Sequence, residues 1–218
     1  NLTVSGGVGP YSYLWSNGSS TEDISGLTEG TYSVTVTDFN GCTGAASGSV
    51  VNPPPLSYTR TIADYNGYSI SCFGLSNGSI TVNTTSGTPP FIFSWTGPNG
   101  FTATTRNITG LTAGTYALNI IDSLACNVSE TIVLTEPGQL GMAFSLSSST
   151  AGGYNINCAG ASTGYIGIEP LNQVMNVEYL WSDGLFGKTR TNLPAGEYSV
   201  IITDANNCYA SAIVALTE

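Results

Sequence analysis

The sequence contains no histidine, and only 4 of its 218 residues are lysine or arginine. Histidine is the commonest general base, and the sequence also has no glycine-rich phosphate loop, no Gly-x-Ser-x-Gly motif and no Cys-x-x-Cys pair. The net charge of −10 argues against nucleic acid or anionic lipid as a partner. No apolar run approaches the ~20 residues of a membrane span. We therefore expect no enzyme, no cofactor and no membrane insertion.

One segment occurs three times along the chain. Residues 30–42, Gly-Thr-Tyr-Ser-Val-Thr-Val-Thr-Asp-Phe-Asn-Gly-Cys, return in similar form as residues 114–126 and 196–208. Apolar and polar residues alternate within each copy, which is the two-residue period of a half-buried strand. Each copy is entered by Leu-x-x-Gly-x-Tyr, and a tyrosine at the start of such a strand is typical of the tyrosine corner of β-sandwiches. The pattern indicates a tandem repeat.

The composition predicts an all-β fold. Glycine (27 residues) and tyrosine (12 residues) are abundant, and no segment has a persuasive helical period. About seven short strands in roughly 85 residues, among them one near residues 68–72 that is followed by a turn at Asn77–Gly78, suit an immunoglobulin-like β-sandwich. We assign residues 1–52 to repeat 1, which we expect to be truncated at its N-terminus, residues 53–137 to repeat 2 and residues 138–218 to repeat 3. Proline-rich joints between the repeats predict short, semi-rigid spacers.

Two segments carry a resemblance to a known family. They are Gly7-x-x-Pro10-Tyr-Ser-Tyr-Leu-Trp15-Ser-Asn-Gly18 and the segment from Leu27 to Asp38-x-Asn-Gly-Cys42, and a Cys-x-Gly precedes the tryptophan of each complete repeat. The chain resembles the SprB repeat, which builds very large surface adhesins of gliding Bacteroidetes. The resemblance implies a filament on the cell surface that is exported by the type nine secretion system and carried by the gliding machinery. Repeat 3 departs from the pattern, because residues 172–179 replace the Gly-Gly-x-x-Pro-Tyr element.

Acidic and amide side chains recur near the joints. An aspartate in each repeat is followed, at one fixed distance, by an acid or amide at the repeat boundary. The aspartate of such a turn usually caps the turn. Oxygen ligands that recur at module boundaries also suggest a calcium site, because Ca²⁺ binds several such oxygens. The calcium hypothesis names Asp38, Asn52, Asp122, Glu136, Asp204 and Glu218.

The five cysteines predict one disulfide inside each complete repeat. We expect Cys72 to pair with Cys126 and Cys158 to pair with Cys208, whereas Cys42 has no partner because of the expected truncation. In the chain-entropy model such a loop stabilises a repeat by ~4 kcal/mol. Disulfides agree with an extracellular location.

The aromatic residues at repeated positions are predicted to form the core. Tryptophan at a fixed place in a β-sandwich usually fills the space between its sheets, although a row of exposed aromatics could instead stack on sugars. The predicted core residues are Trp15, Trp95, Trp181, Tyr32, Tyr116 and Tyr198. One further motif, Asp122-Ser123-Leu124, is similar to the O-glycosylation acceptor of Bacteroidetes, so Ser123 is a candidate acceptor.

These observations lead to a structural rather than catalytic function. We predict part of the shaft of an extracellular adhesin, attached to the outer membrane and used in gliding motility and surface attachment. Its expected partners are neighbouring repeats of the filament, the gliding and secretion machinery and surface polysaccharide. The alternatives are an array of glycan-binding modules and accessory repeats of a secreted enzyme.

Overall fold

The computed structural model describes residues 1–150 and 152–218. Throughout these residues the fold is all-β, with sixteen strands in antiparallel sheets and one short 3₁₀ turn at Pro98–Gly100. The chain consists of two compact units, residues 1–55 and residues 56–218. Within the described residues no helix is long or apolar enough to span a membrane.

Unit 1 is a single three-stranded sheet in the order β1-β2-β3. Its strands are β1 (Ser12–Trp15), β2 (Gly30–Thr37) and β3 (Thr43–Val50). Val34 on the central strand is buried, but Trp15 and Tyr32 are only half-buried. The prediction that Trp15 and Tyr32 are core residues therefore needs correction, because a lone sheet leaves one side of each ring without packing partners.

Repeat 2 contains two facing sheets. One has the order β4-β5-β8 and the other the order β10-β9-β6-β7. Its core contains Trp95, Tyr116 and aliphatic side chains from both sheets. The strand bounds are β4 (Ser57–Ile62), β5 (Gly78–Ser86), β6 (Ile92–Thr96), β7 (Thr102–Ala103), β8 (Ile108–Leu111), β9 (Gly114–Ile121) and β10 (Asn127–Leu134).

Repeat 3 repeats this arrangement without the equivalent of β7. Its sheets have the orders β11-β12-β14 and β13-β15-β16, and Trp181 lies in the core between them. The strand bounds are β11 (Gly141–Leu146), β12 (Gly164–Leu171), β13 (Val177–Trp181), β14 (Thr189–Leu193), β15 (Gly196–Asp204) and β16 (Tyr209–Leu216).

Two internal contacts identify these sandwiches as immunoglobulin-like. The Tyr116 hydroxyl donates to the Thr112 carbonyl, four residues upstream at the start of the central strand, over 3.1 Å, and Tyr198 makes the same contact with Pro194 over 2.8 Å. This is the geometry of a tyrosine corner. A buried tryptophan on the neighbouring strand, Trp95 or Trp181, completes the immunoglobulin-like pattern. Both complete repeats are therefore immunoglobulin-like β-sandwiches.

The segment between β4 and β5 differs most from the predicted strands. A strand was expected near residues 68–72, but these residues form a looped segment with a single bridge between Tyr65 and Tyr68. The expected turn at Asn77–Gly78 is also different, because Gly78 begins β5. A Cβ at Gly78 would lie 2.6 Å from the Ile70 side chain and 3.0 Å from the Leu111 carbonyl. Close packing, rather than turn geometry, requires glycine here.

Candidate functional site at the joint between repeats 2 and 3

One side of the joint is the loop around Cys72, which we call the cysteine loop of repeat 2 (residues 69–74). The backbone N–H groups of Ser69 and Ile70 both donate to the Thr135 carbonyl, over 2.9 and 3.0 Å. The Gly74 N–H donates to the Glu136 carboxylate over 2.7 Å. These bonds attach the loop to the end of β10.

The other side is the turn between β15 and β16, which we call the aspartate turn of repeat 3 (residues 204–208). The Asp204 carboxylate accepts the backbone N–H groups of Asn206 and Cys208 through Oδ1, over 2.9 and 3.0 Å. Its Oδ2 accepts the N–H of Val174 over 3.1 Å. Asp204 is buried, and its hydrogen bonds satisfy the carboxylate and place Cys208.

A disulfide joins these two sides and corrects the predicted cysteine pairing. Cys72 of repeat 2 is bonded to Cys208 of repeat 3, with 5.6 Å between their Cα atoms and a sequence separation of 136 residues. Within the described chain Cys42, Cys126 and Cys158 are unbonded. The expected pairs Cys72 with Cys126 and Cys158 with Cys208 are therefore wrong.

The reason is that the two cysteines of one repeat lie at opposite ends of it. Cys126 immediately precedes β10, whereas the cysteine loop is bonded to Thr135, immediately after β10. A strand of 8 residues spans roughly 26 Å at ~3.3 Å per residue. A disulfide needs Cα atoms within about 7 Å. Bonding inside the repeat is excluded by this geometry, whereas bonding between successive repeats is not.

The Asn206 side chain reinforces the disulfide. Its Nδ2 donates to the backbone carbonyls of Tyr65 and Ser71 over 3.1 and 3.0 Å, and its Oδ1 accepts from Asn66. Repeat 2 and repeat 3 are thus joined by one covalent bond and three hydrogen bonds around it. No local sequence pattern indicates that Asn206 and Asn66 are in contact, because 140 residues separate them.

Both sides of the joint recur elsewhere in the chain. In repeat 3 the N–H groups of Asn155 and Ile156 donate to Thr217 over 2.9 and 3.0 Å, and the Gly160 N–H donates to Glu218 over 2.6 Å. This is a second cysteine loop (residues 155–160), and it presents the exposed Cys158. The Asp122 and Asp38 carboxylates likewise accept the N–H groups of Cys126 and Cys42, over 2.9 and 2.8 Å.

Backbone hydrogen bonds also set the ionisation of these aspartates. Burial raises the pKa of Asp122, but the N–H donors of Thr88, Cys126 and Leu124 lower it by more, so the pKa lies below its ordinary value. The N–H groups of Val8 and Cys42 lower the pKa of Asp38 in the same way. Both carboxylates are therefore charged acceptors at neutral pH.

The six residues of the calcium hypothesis make other contacts. Each aspartate accepts three backbone N–H groups, Glu136 and Glu218 accept one each, and Asn52 donates to Glu29 over 3.0 Å. Among residues 1–150 and 152–218 no group of three or more His, Cys, Asp or Glu side chains is arranged to hold a metal. Calcium binding at the joints stays a prediction.

The tryptophans of repeats 2 and 3 face the core and not the solvent. Trp95 and Trp181 are 1% and 2% exposed, and their indole N–H groups donate to the backbone carbonyls of Thr105 and Gly187 over 3.0 and 2.9 Å. Tyr116 is buried and Tyr198 is partly buried against the core. A buried and hydrogen-bonded indole cannot stack on a sugar.

The candidate O-glycosylation site is accessible. Ser123 is exposed, and its hydroxyl donates to the Thr88 carbonyl over 3.0 Å. O-glycosylation of Ser123 stays a prediction.

A polar clasp connects the two sheets of repeat 2. Arg60 on β4 donates through Nε and Nη2 to the Glu130 carboxylate on β10, over 2.9 and 2.7 Å, and the Tyr58 hydroxyl donates to the same carboxylate. The hydrogen bond from Arg60 holds the pKa of Glu130 below its usual range, although burial opposes it. Burial and the Glu130 carboxylate raise the pKa of Tyr58 to about 12.

Comparison with known families confirms the resemblance. The family model of the SprB repeat matches residues 1–20 and 69–100. The matched residues lie in both units of the chain, and each unit is therefore similar in part to the SprB repeat. A comparison with curated proteins finds no match.

Three solved structures are similar to parts or most of the chain. The N-terminal eight Ig domains of Down Syndrome Cell Adhesion Molecule isoform 1.30.30 match 94% of this chain at 11% identity and a TM-score of 0.43, and the match covers 32% of that chain. The amphioxus IgVJ-C2 molecule matches 62% of this chain at 20% identity and a TM-score of 0.31, covering 92% of that chain. A tetra-tandem repeat in the extending region of a large adhesion protein matches 96% of this chain at 16% identity and a TM-score of 0.26, and the match covers 68% of that chain. These scores are too low to support any argument about function.

Proposed function

We propose that this chain is a load-bearing repeat region of an extracellular adhesin filament, attached to the outer membrane and used in gliding motility and surface attachment. The observation that carries the proposal is the cross-linked joint between repeats 2 and 3. A spacer must transmit force from one module to the next, and a disulfide with surrounding hydrogen bonds does so without relying on a flexible linker. The SprB-repeat match supports the gliding-filament context.

The proposed partners follow from this role. Neighbouring repeats of the same filament contact the joint surfaces, and the gliding and type nine secretion machinery act on the filament as a whole. Surface polysaccharide is the proposed contact at the adhesive part of the filament. No catalytic activity is needed for this role, and we propose that the repeats have none.

Solution scattering tests the spacer role. We compare the 218-residue chain with chains that carry one and two additional copies of repeat 3. A stiff array should gain length in proportion to the number of repeats, whereas a flexible one should gain length as about its square root. The matched control is the double variant Cys72→Ser, Cys208→Ser, which should have a broader distribution of dimensions. A compact profile, or no difference between the native chain and the control, would refute the spacer role.

Glycan-array binding separates this proposal from the glycan-binding alternative. Because Trp95 and Trp181 are buried, a sugar would have to stack on exposed rings such as Phe186 and Tyr209, which are 73% and 76% exposed. We expect near-background binding for the native chain. Micromolar binding that is lost in Phe186→Ala or Tyr209→Ala at an unchanged melting temperature would favour the glycan-binding alternative. For the alternative of accessory repeats, a catalytic domain in the flanking sequence would be the deciding observation.

A further inference from the structure

Each complete repeat has a cysteine at each of its two ends. In repeat 2 these are Cys72 in the cysteine loop and Cys126 in the aspartate turn, at opposite ends of β10. In repeat 3 they are Cys158 and Cys208, at opposite ends of β16. We call the cysteine of the loop the first cysteine and the cysteine of the turn the second cysteine. The one disulfide in the described chain joins a first cysteine to the second cysteine of the following repeat.

We propose that every joint between successive repeats of this type is closed by the same disulfide, from the first cysteine of one repeat to the second cysteine of the repeat that follows. In this chain Cys158 is then the attachment point for a repeat placed after Glu218. Cys126 and Cys42 occupy the position of the second cysteine in repeats 2 and 1. The rule concerns the joint itself and does not depend on what the array adheres to.

The surroundings of Cys158 support its assignment as the next attachment point. The loops that carry Cys72 and Cys158 each donate two backbone N–H groups to a threonine carbonyl and one to a glutamate carboxylate, over nearly equal distances. The Cys72 copy of this loop forms the disulfide, whereas Cys158 is exposed and unbonded. Cys72 occupies the equivalent position and is bonded to the second cysteine of the following repeat. The partner of Cys158 is therefore the second cysteine of a following SprB-type repeat.

The three second cysteines share the same local backbone geometry. In all three aspartate turns Oδ1 of the aspartate accepts the cysteine N–H over 2.8–3.0 Å. The residue before the cysteine has a positive φ in each turn: 83° at Gly41, 62° at Ala125 and 62° at Asn207. The side-chain amide that hydrogen-bonds across the joint, that of Asn206, is not present in every repeat. Asn40 preserves the position of Asn206, whereas Leu124, at the same position in repeat 2, has no side-chain amide.

The bond requires an external oxidant, for which a small-molecule disulfide such as oxidised glutathione suffices in vitro. The Cys158 thiolate attacks one glutathione sulfur, forms a mixed disulfide and releases one glutathione thiolate. The thiolate of the second cysteine then attacks the Cys158 sulfur and releases the other. Two protein thiols lose two protons and two electrons, and one glutathione disulfide becomes two glutathione thiols.

A closed series of joints would change how the array bears force. Cys158 lies between Cys72 and Cys208 in the chain, so successive disulfide loops would overlap. Tension would then pass from one disulfide to another through short connecting segments, and most of each sandwich would be shielded from it.

The test extends the full chain by one repeat. A second copy of residues 137–218 is placed after Glu218, so that the new Glu-Pro junction reproduces Glu136-Pro137. The protein is refolded in a glutathione redox buffer and analysed by non-reducing peptide mapping and thiol counting. We expect a cross-linked peptide between Cys158 and the added equivalent of Cys208, while the Cys72–Cys208 bond is kept.

The thiol count decides between the outcomes. The extended chain has seven cysteines, so two disulfides leave three free thiols, the same number as in the native chain. Cys158→Ser in the extended chain is the matched control and should give four free thiols. A second extended chain, carrying a copy of residues 53–137, should also protect Cys158 from alkylation. Five free thiols in both extended chains, or Cys158 bonded to a cysteine other than the added second cysteine, would overturn the proposal.

Discussion

Replacing Cys208 by serine should lower the free energy of unfolding of residues 56–218 by up to about 5 kcal/mol. The Cys72–Cys208 disulfide closes a loop of 136 residues, and the chain-entropy model gives about 5 kcal/mol at 25 °C for a loop of this length. This exceeds the ~4 kcal/mol expected for a loop inside one repeat, because the bridged loop contains most of two sandwiches. Cys72→Ser should have the same effect, and the double variant should add little to it.

Guanidinium unfolding followed by tryptophan fluorescence measures this effect. Trp95 reports on repeat 2 and Trp181 on repeat 3, and both are buried in the folded state. In the native chain the two repeats should unfold together, whereas in Cys208→Ser they should separate into two transitions. Reduction of the native chain should reproduce the behaviour of the variant.

Cys126→Ser and Cys158→Ser are the matched controls, because these cysteines are unbonded in the described chain. We expect Cys158→Ser, at an exposed position, to change the stability by less than about 0.5 kcal/mol, as is usual for surface substitutions. Cys126 is partly buried, so Cys126→Ser should cost somewhat more, but much less than Cys72→Ser. A loss in Cys126→Ser as large as that in Cys72→Ser would restore the pairing inside repeat 2 and refute the joint described above.

Three further predictions concern smaller features. Arg60 lowers the pKa of Glu130, so the stability from this carboxylate is present above its unfolded pKa and is lost as the pH falls through the lower pKa of the folded state. Glu130→Gln should therefore reduce the loss of thermal stability below about pH 5, and an unchanged dependence of the melting temperature on pH would contradict the clasp. Ala125→Gly should stabilise repeat 2 by about 1 kcal/mol, because Ala125 has a φ of 62°, whereas Ala117→Gly inside β9 should cost about 0.5–1 kcal/mol; equal losses in urea unfolding would refute this reasoning. The calcium hypothesis predicts that a chelator lowers the melting temperature. An unchanged melting temperature together with an unchanged solution shape would contradict the hypothesis.

The sequence predicted the features that depend on neighbouring residues. The tyrosine corner at Tyr116 and the strand that follows it are visible as Leu-x-x-Gly-x-Tyr and a two-residue period, because each contact spans only a few residues. The fixed position of Trp95 likewise indicates a residue between two sheets. Repetition of these local patterns was sufficient to identify the fold.

The disulfide could not be predicted in this way. The spacing of Cys72 and Cys126 shows that they belong to one repeat, but it does not show at which end of the sandwich each one lies. That depends on the hydrogen bonds between the cysteine loop and Thr135, which have no sequence signal. The half-burial of Trp15 was missed for a similar reason, because its packing depends on whether a second sheet faces it.

Single-molecule stretching of the 218-residue chain between its termini tests the central claim most directly. In the oxidised chain the 136-residue loop between Cys72 and Cys208 is shielded from force. Adding a reductant should therefore release about 450–490 Å of additional contour length, at ~3.3–3.6 Å per extended residue. Two separate releases of about 165–195 Å each, as expected for Cys72 bonded to Cys126 and Cys158 to Cys208, would contradict the cross-linked joint, and so would no release at all.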